Sequence, residues 1–185
     1  MTLKTKRLVL RQWRDDDREA FARLNADPVV MEFFPDTRTR SESDATMDKL
    51  AGHIDRYGFG FWALELRETS ENIGFTGLQH VDFEADFCPA IEIGWRLSRN
   101  HWGKGYATEA DLASLDFAFR VLELEEVVSF AVMSNRRSRN VMQRVGMVHD
   151  PAFDFDHPSV DPRSPLTRHA FYRIDRQGWQ ANPPG

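Results

Sequence analysis

The segment from residue 91 to residue 110 could bind a ligand and act on it, because it joins a glycine pair to a nearby carboxylate. Gly103 and Gly105 stand between a stretch of alternating apolar residues and a stretch with helical spacing. Glycine lacks a Cβ, so a ligand can approach the main chain closely. At a helix start, unpaired N–H groups and the helix dipole together favour an anion. The pattern therefore predicts a phosphate site at this turn.

Glu92 is the carboxylate, and it stands among apolar residues. It is either an outward-facing or edge carboxylate, or a general base that takes a proton from a reacting group. Asn135 also allows two interpretations, since its side chain could cap the helix that follows or bind a ligand. By default Ser138, in the first turn of that helix, is a surface or capping hydroxyl. The residues alone leave these alternatives open.

A strand, a turn and a helix must position these groups. Ile91, Ile93, Trp95 and Leu97 alternate with less apolar residues, which predicts a strand with one apolar face. After Thr108 the apolar residues recur at helical spacing. A further strand over residues 126–133 would complete a right-handed parallel crossover.

The rest of the chain predicts an α+β protein with a mostly antiparallel mixed sheet, in the order β-α-α-β-β-β-α-β-α-β-β. Further strands are predicted over residues 7–12, 59–66, 73–81, 147–148 and 168–174. Asp15 and Asp16 are expected to cap a helix over residues 18–25, and residues 29–34 to form a short apolar helical turn. Ser41 and Asp44 resemble a capping box, and Gly58 is expected to end the helix that follows. Residues 151–165 are expected to be a long loop.

Composition narrows the class of protein. The 185 residues are 41% hydrophobic, with fourteen Phe and five Trp, enough for one domain over residues 1–180 with a frayed tail at 181–185. A net charge of −5 argues against a nucleic-acid partner. The single cysteine, Cys88, indicates a reducing, cytoplasmic location, and no run of residues is apolar enough to span a membrane. The histidines form no zinc pattern, so no metal is expected, and His101 at the turn could be solvent-exposed.

Two other phosphate-binding patterns fit poorly. The dinucleotide fingerprint needs a third glycine where Thr108 stands, and it does not follow several strands as this turn does. The glycine-rich loop of nucleoside triphosphatases needs a Gly-x-x-x-x-Gly-Lys-Ser/Thr sequence, which does not occur.

The turn resembles the acetyl-CoA-binding signature of the GNAT superfamily of N-acetyltransferases, Gln/Arg-x-x-Gly-x-Gly/Ala. Gly105 and Ala107 match it, while Trp102 stands where Gln or Arg is usual. The longer sequence Trp-Gly-x-Gly-x-Ala-Thr-Glu-Ala is typical of the branch that includes the ribosomal-protein alanine N-acetyltransferases. A second block, from Asn135 through Ser138 to Gly146, is similar to that branch, as is the opening Thr-Lys-Arg-Leu-Val-Leu-Arg. The resemblance covers about residues 5–150.

The resemblance implies a GNAT-type fold, with helices on both faces of a sheet that splays at the acetyl-CoA site. Acetyl-CoA is the implied co-substrate, with Glu92 as general base and Ser138 as the proton donor, because Met142 stands where many relatives have a Tyr; water is the alternative donor. The implied cofactor-binding residues are Trp95, Arg96, Leu97, Trp102, Gly103, Lys104, Gly105, Tyr106, Ala107, Thr108, Asn135 and Asn140.

The implied acceptor is a primary amine, either a protein N-terminus or a small molecule, acetylated by direct attack on the thioester. Phe34 and Trp62 either belong to the core or line the acceptor pocket. A non-catalytic CoA-binding or sensor module is the alternative to an enzyme. The chain is expected to be a monomer or a homodimer.

Overall fold

The computed structural model describes residues 1–181. The strands are β1 (Leu3–Lys4), β2 (Leu8–Arg11), β3 (Phe61–Leu66), β4 (Asn72–His80), β5 (Ile91–Leu97), β6 (Glu126–Val132), β7 (Val148–His149), β8 (Phe155–Asp156) and β9 (Arg168–Asp175). The helices are α1 (Asp17–Ala26), α2 (Arg40–Tyr57), α3 (Tyr106–Arg120), α4 (Arg136–Arg144) and α5 (Arg176–Ala181). The strands form a mixed sheet of mostly antiparallel pairs, which confirms the predicted fold class.

The structure also contains elements that the sequence pattern did not predict. Strands β1 and β8 have two residues each, too few to show a period. Helix α5 follows the last strand and buries Trp179, whose apolar ring packs near Phe119. Of the expected tail, Ala181 ends α5 and residues 182–185 lie outside the described residues.

The contacts between Cα atoms divide the chain into two compact units. The first contains residues 1–79 and 94–114, and the second contains residues 80–93 and the chain from Leu115 onward. The boundaries fall inside β4, β5 and α3. The single domain over residues 1–180 stays a prediction.

In the first unit, β1 to β4 pair in sequence order as antiparallel neighbours. Leu10 pairs with Leu64 in the register of β2 and β3, and both side chains are fully buried. Helix α1 packs against α2. Gly58 ends α2 at a φ of 77°, as predicted, because the left-handed region is open to glycine.

The predicted side-chain caps of the first two helices are wrong. Asp16 stands at the N-cap of α1 but makes no side-chain cap. Thr39 and Glu42, not Ser41 and Asp44, form the capping box of α2, because Glu42 reaches back to the Thr39 N–H at 2.8 Å. Between these helices the expected helical turn over residues 29–34 is a series of turns and bends without a helix.

In the second unit, β6 and β9 form the longest ladder, with seven antiparallel pairs from Glu126–Asp175 to Val132–His169. Strands β7 and β8 both pair with β9, so the predicted loop over residues 151–165 is partly a strand. Strand β5 is parallel to β6, with Glu92 paired to Val128. None of the helices in residues 1–181 combines the length and apolar composition that a membrane crossing requires.

Candidate functional site

The glycine turn has the open geometry that the sequence predicts. Gly103 and Gly105 adopt φ values of 73° and 77°, a left-handed conformation that a Cβ makes costly. A Cβ on Gly103 would meet no atom within 4 Å, so the main chain there is open to a ligand. Helix α3 begins at Tyr106, and Glu109 N–H donates to the Gly105 carbonyl at 3.0 Å. The N–H groups before Glu109 in this first turn therefore have no helical acceptor.

Two residues that the sequence pattern did not single out hold this turn in place. Arg7 Nε donates to Glu109 Oε2 at 2.6 Å, and Arg7 Nη1 donates to the Lys104 carbonyl at 2.9 Å. Thr5 Oγ1 donates to Glu109 Oε1 at 2.6 Å. Burial favours a higher pKa for Glu109, but the hydrogen bonds from Thr5 and Arg7 outweigh it and lower the pKa. Glu109 is thus a charged anchor at neutral pH. The sequence did contain an indication of this contact. Thr5 and Arg7 lie in the opening segment and Glu109 lies in the glycine-turn segment, and both segments resemble the same branch of the GNAT superfamily.

Trp102 connects the turn to the end of β5. Its Nε1 donates to the Leu97 carbonyl at 2.8 Å, so the Trp that replaces the usual Gln or Arg braces the turn. His101, which the sequence allowed at the surface, is buried, with Nδ1 2.7 Å from Ser98 Oγ. Desolvation lowers the pKa of His101, so it is neutral at pH 7.

Arg96, predicted as a cofactor contact, points its side chain toward α1. Its Nη1 donates to Asn25 Oδ1 at 2.6 Å, and its Cζ lies 4.1 Å from the centre of the Phe34 ring. Its Nε is buried and has no hydrogen-bond partner among the described residues. Desolvation, with a smaller effect of the Arg38 charge, lowers the pKa of Arg96 to about 9. The guanidinium is still charged at neutral pH.

The two predicted acceptor contacts differ in position. Phe34 is 39% exposed and stacks on Arg96. Trp62 is fully buried on β3. A core position was one of the two interpretations that the sequence allowed. The role of Trp62 as an acceptor contact stays a prediction, and Phe34 is the one of the two whose ring a ligand can reach.

In the second unit, Glu92 lies on β5 at its pair with Val128 on β6. The side chain is half-buried, and no hydrogen bond of it is present among the described residues. Desolvation, followed by repulsion from Asp82, raises the pKa of Glu92 to about 8. The raised pKa matches the needs of a general base near neutral pH.

Asn135 is the N-cap of α4, because its Oδ1 accepts the Ser138 N–H at 3.1 Å. The cap uses only the side-chain oxygen, so a capping role does not occupy the side-chain NH2 group. Ser138 is half-buried, and Asn140 is exposed. Met142, at the position of the usual Tyr, is buried in the core and offers no proton.

Asp111, on α3 of the first unit, is a buried carboxyl that the sequence pattern did not single out. Thr76 Oγ1 makes a short hydrogen bond to Asp111 Oδ1 and lies 3.2 Å from the Gly94 carbonyl. Asp111 Oδ2 is buried without a partner among the described residues. Desolvation raises the pKa of Asp111 well above its ordinary value. The neutral acid can donate to Thr76, which then donates to Gly94 on β5.

No group of three or more His, Cys, Asp or Glu side chains within residues 1–181 could hold a metal ion. His157 and His169, with ring centres 5.0 Å apart, pack beside the aromatic rings of Phe83 and Phe155. The α+β sheet and the open glycine turn at the start of α3 agree with the class of proteins that bind a phosphate-bearing ligand at such a turn.

Comparison with known proteins identifies the family. Residues 7–148 match the Acetyltransferase (GNAT) domain, so the chain belongs to the GNAT acetyltransferases. The FsC-acetyl coenzyme A-N(2)-transacetylase of Aspergillus fumigatus is 30% identical over 193 residues, which cover 96% of this chain and 77% of that one. An acetyltransferase structure from Agrobacterium tumefaciens is 30% identical, with a TM-score of 0.76 and 94% of each chain covered. The GNAT-family structure from Bacillus anthracis, at 22% identity, has a TM-score of 0.80, with 96% of this chain and 99% of that one covered.

These matches confirm the predicted superfamily, fold and enzyme class. The chain is an N-acetyltransferase of the GNAT fold. The family uses acetyl-CoA, which suits a turn whose left-handed glycines leave the main chain open.

Proposed function

We propose that this protein transfers the acetyl group of acetyl-CoA to a primary amine, on a protein N-terminus or a small molecule. The observation that carries the proposal is the glycine turn, where Gly103 and Gly105 leave the main chain open and Arg7 with Glu109 holds it. The relative whose name describes acetyl transfer from coenzyme A to a nitrogen supports the same reaction class.

Acetyl-CoA would bind mainly through main-chain groups of the first unit. The pyrophosphate would lie on the N–H groups between Gly103 and Thr108, with the helix dipole behind it. The pantetheine arm would run along β5 and bond to the backbone of Trp95 and Arg96. The Leu97 carbonyl already accepts the Trp102 side chain, so it is the least available of the three predicted backbone contacts. The remaining proposed contacts are those that the family resemblance implies: Lys104, Tyr106, Ala107, Asn135 and Asn140.

The reaction is direct attack of the amine on the thioester. The nitrogen lone pair forms a bond to the carbonyl carbon, and the nitrogen proton passes to Glu92, directly or through water. The C–S bond then breaks, and sulfur leaves with the electron pair and takes a proton from Ser138 or from water. Positioning and polarisation of the carbonyl supply most of the rate.

The Glu92 pKa of about 8 suits an α-amine acceptor, whose pKa is also about 8. Forming the neutral amine at pH 7 then costs the equivalent of about one pKa unit. For a lysine side chain, with a pKa near 10.4, the cost is over three units, or roughly 4–5 kcal/mol. The base is therefore matched to a weakly basic acceptor.

Release of free thiol from acetyl-CoA with a panel of amines tests the function, with acetyl-CoA binding measured separately by calorimetry. We expect binding and turnover with at least one α-amine. Binding without turnover for any amine would make the protein a CoA-binding module. Binding of a dinucleotide but not of acetyl-CoA would contradict the proposed role of the turn.

We also propose a cytoplasmic monomer or homodimer. The thiol of Cys88 is unpaired and donates to the Phe83 carbonyl at 3.3 Å, as a reducing compartment allows. Fractionation of the native host tests the location. Light scattering across concentration tests the oligomeric state.

A further inference from the structure

Arg96 is a half-buried cation whose Nε is buried, and it has no anionic partner among the described residues. Within residues 1–181, no carboxylate lies within ion-pair distance of it, whereas the buried Arg11 contacts both Asp17 and Glu65. Arg38, whose positive charge acts on Arg96, adds to the local positive potential. A buried charge without a counterion is costly, so this arrangement calls for an anion.

The surroundings of Arg96 leave one specific edge of the guanidinium free. Nη1 is occupied by Asn25 Oδ1, and Asn25 Nδ2 donates to Ser43 Oγ at 2.8 Å, which fixes the amide. Phe34 and Phe75 approach Cζ, with ring centres at 4.1 and 5.4 Å. Nε and Nη2 lie side by side on the remaining edge, and Nε is buried without a hydrogen-bond partner among the described residues. Two parallel N–H donors on one edge match the two oxygens of a carboxylate.

We infer that Arg96 binds a carboxylate of the acceptor, so that the substrate is an amine bearing a free carboxylate, such as an amino acid or short peptide. This inference rests on the proposed acetyl transfer. Asn25 positions the guanidinium, and Phe34 packs over it. Phe34 lies on the turns between α1 and α2 and is 39% exposed, so it is the group that moves to admit the carboxylate to the buried Nε.

The test compares peptides that carry the same α-amine and end in either a carboxylate or the matching amide. For the wild-type enzyme we expect kcat/KM to favour the carboxylate about 10- to 100-fold, as for a hydrogen-bonded charged group. Arg96→Gln should bring this ratio close to one, while the Kd for acetyl-CoA stays within about threefold, since that contact is proposed to be main-chain. Arg96→Lys, which keeps the charge and loses the paired edge, should give an intermediate ratio.

Arg38→Gln is the matched control. It removes the same charge close by, while Arg38 donates to Thr46 and not to the proposed carboxylate. We expect it to reduce the preference for carboxylate far less than Arg96→Gln does, because it removes a nearby charge and not the paired donors. Arg96→Met checks folding, because removing a buried unpaired charge should leave the Tm unchanged or raise it. A ratio of one or less in the wild type, or a ratio that Arg96→Gln leaves unchanged, overturns the inference.

Failure of the proposed function can be distinguished from failure of the carboxylate site. If no amine is acetylated, calorimetry measures the binding of an N-acetyl dipeptide and of its amide to the wild type and to Arg96→Gln. Tighter binding of the free acid that depends on Arg96 would support the carboxylate site in a protein that does not acetylate. Equal binding of acid and amide would overturn it.

Discussion

Glu109 Oε2 lies 2.6 Å from Arg7 Nε, and the other oxygen of the same carboxylate accepts the Arg7 backbone N–H at 2.8 Å. This pair joins the start of the chain to the first turn of α3. Through Arg7 Nη1 and the Lys104 carbonyl, it also fixes the glycine turn itself. The phosphate site therefore depends on residues far from it in sequence, and its geometry can be changed without touching a glycine.

Glu109→Gln keeps the shape of the side chain and removes its charge. We expect the Kd for acetyl-CoA to rise roughly five- to tenfold, because Thr5 and Arg7 donate to both carboxylate oxygens and the Gln amide keeps only one acceptor oxygen, without the charge. The Kd is measured by calorimetry. Lys6→Ala, at an exposed neighbour of Arg7, is the control for a change of charge in the same region. Equal effects of the two changes would show that the Glu109 contacts do not order the turn.

Gly105→Ala separates backbone strain from ligand contact. A left-handed alanine costs about 1–2 kcal/mol, since φ at Gly105 is 77°. Gly58→Ala carries the same strain, because Gly58 also has a φ of 77° and open space around its Cβ position. We expect similar losses in the free energy of unfolding for both variants. Only Gly105→Ala should weaken acetyl-CoA binding.

Gly105→Asp should weaken acetyl-CoA binding further than Gly105→Ala, by at least about tenfold. It places a negative charge where phosphate is proposed to lie, and like charges held in one site repel. Raising the salt concentration should reduce the difference between these two variants because screening weakens the repulsion. A difference that salt leaves unchanged would point to steric exclusion instead of charge.

The local sequence predicts much of the region around the turn and misses specific parts of it. The periods of β5 and α3 follow from local alternation and helical spacing, so these elements and the glycine turn were predictable. The Arg7–Glu109 contact joins residues about a hundred positions apart, and local periodicity carries no such information. Trp62 illustrates the same limit, since an aromatic residue has the same pattern whether it faces the core or a pocket.

Charge at buried positions was the least predictable feature. Arg96 follows the period of β5 as an outward polar residue, and nothing local shows that Asn25 would meet its guanidinium. Asp111 is a second case, because it is an acidic residue in the helical pattern of α3 and the pattern does not predict that its side chain is buried. The capping of α2 shows a third case, because Thr39–Glu42 and Ser41–Asp44 offer the same spacing two residues apart, and the longer Glu42 side chain reaches the N–H.

Asp111→Asn should remove a pH dependence of stability. The folded pKa of Asp111 is raised, so the folded state binds more protons than the unfolded state above about pH 4. The contribution of the protonated acid is complete below that pH and is lost as the pH rises toward the folded pKa. Denaturant unfolding between pH 5 and 9 should therefore show a smaller loss of stability for Asp111→Asn than for the wild type.

Asp116→Asn, on the solvent side of α3 and 41% exposed, is the control because its ion pair with Arg120 lies at the surface. It should keep the slope of the wild type. If Asp111→Asn also loses stability with rising pH as steeply as the wild type, Asp111 is ionised in the folded protein.

Glu92→Gln tests the proposed base through the pH dependence of the rate. The acceptor should be an amine with its own pKa below about 6, so that it stays neutral and only the enzyme titrates. With the Glu92 pKa at about 8, wild-type kcat/KM should rise about tenfold per pH unit below pH 8 and level off above it. Glu92→Gln should lower the plateau by roughly 100-fold or more and flatten the profile, because no carboxylate remains to gain a proton.

Asp82→Asn shows whether the titrating group in this profile is Glu92. Repulsion from Asp82 contributes to the raised pKa of Glu92, after desolvation, so removing its charge should move the rise of kcat/KM to lower pH while keeping the plateau. Asp86→Asn, on the same loop and not among the causes of the shift, should leave the profile in place. A profile that moves equally in both variants would reflect the loop's general charge, and one that survives in Glu92→Gln would assign the proton transfer to another group. If Asp82→Asn shifts the pH profile and Glu92→Gln abolishes it, Glu92 is identified as the base. The first variant changes the pKa of Glu92, and the second removes its carboxylate.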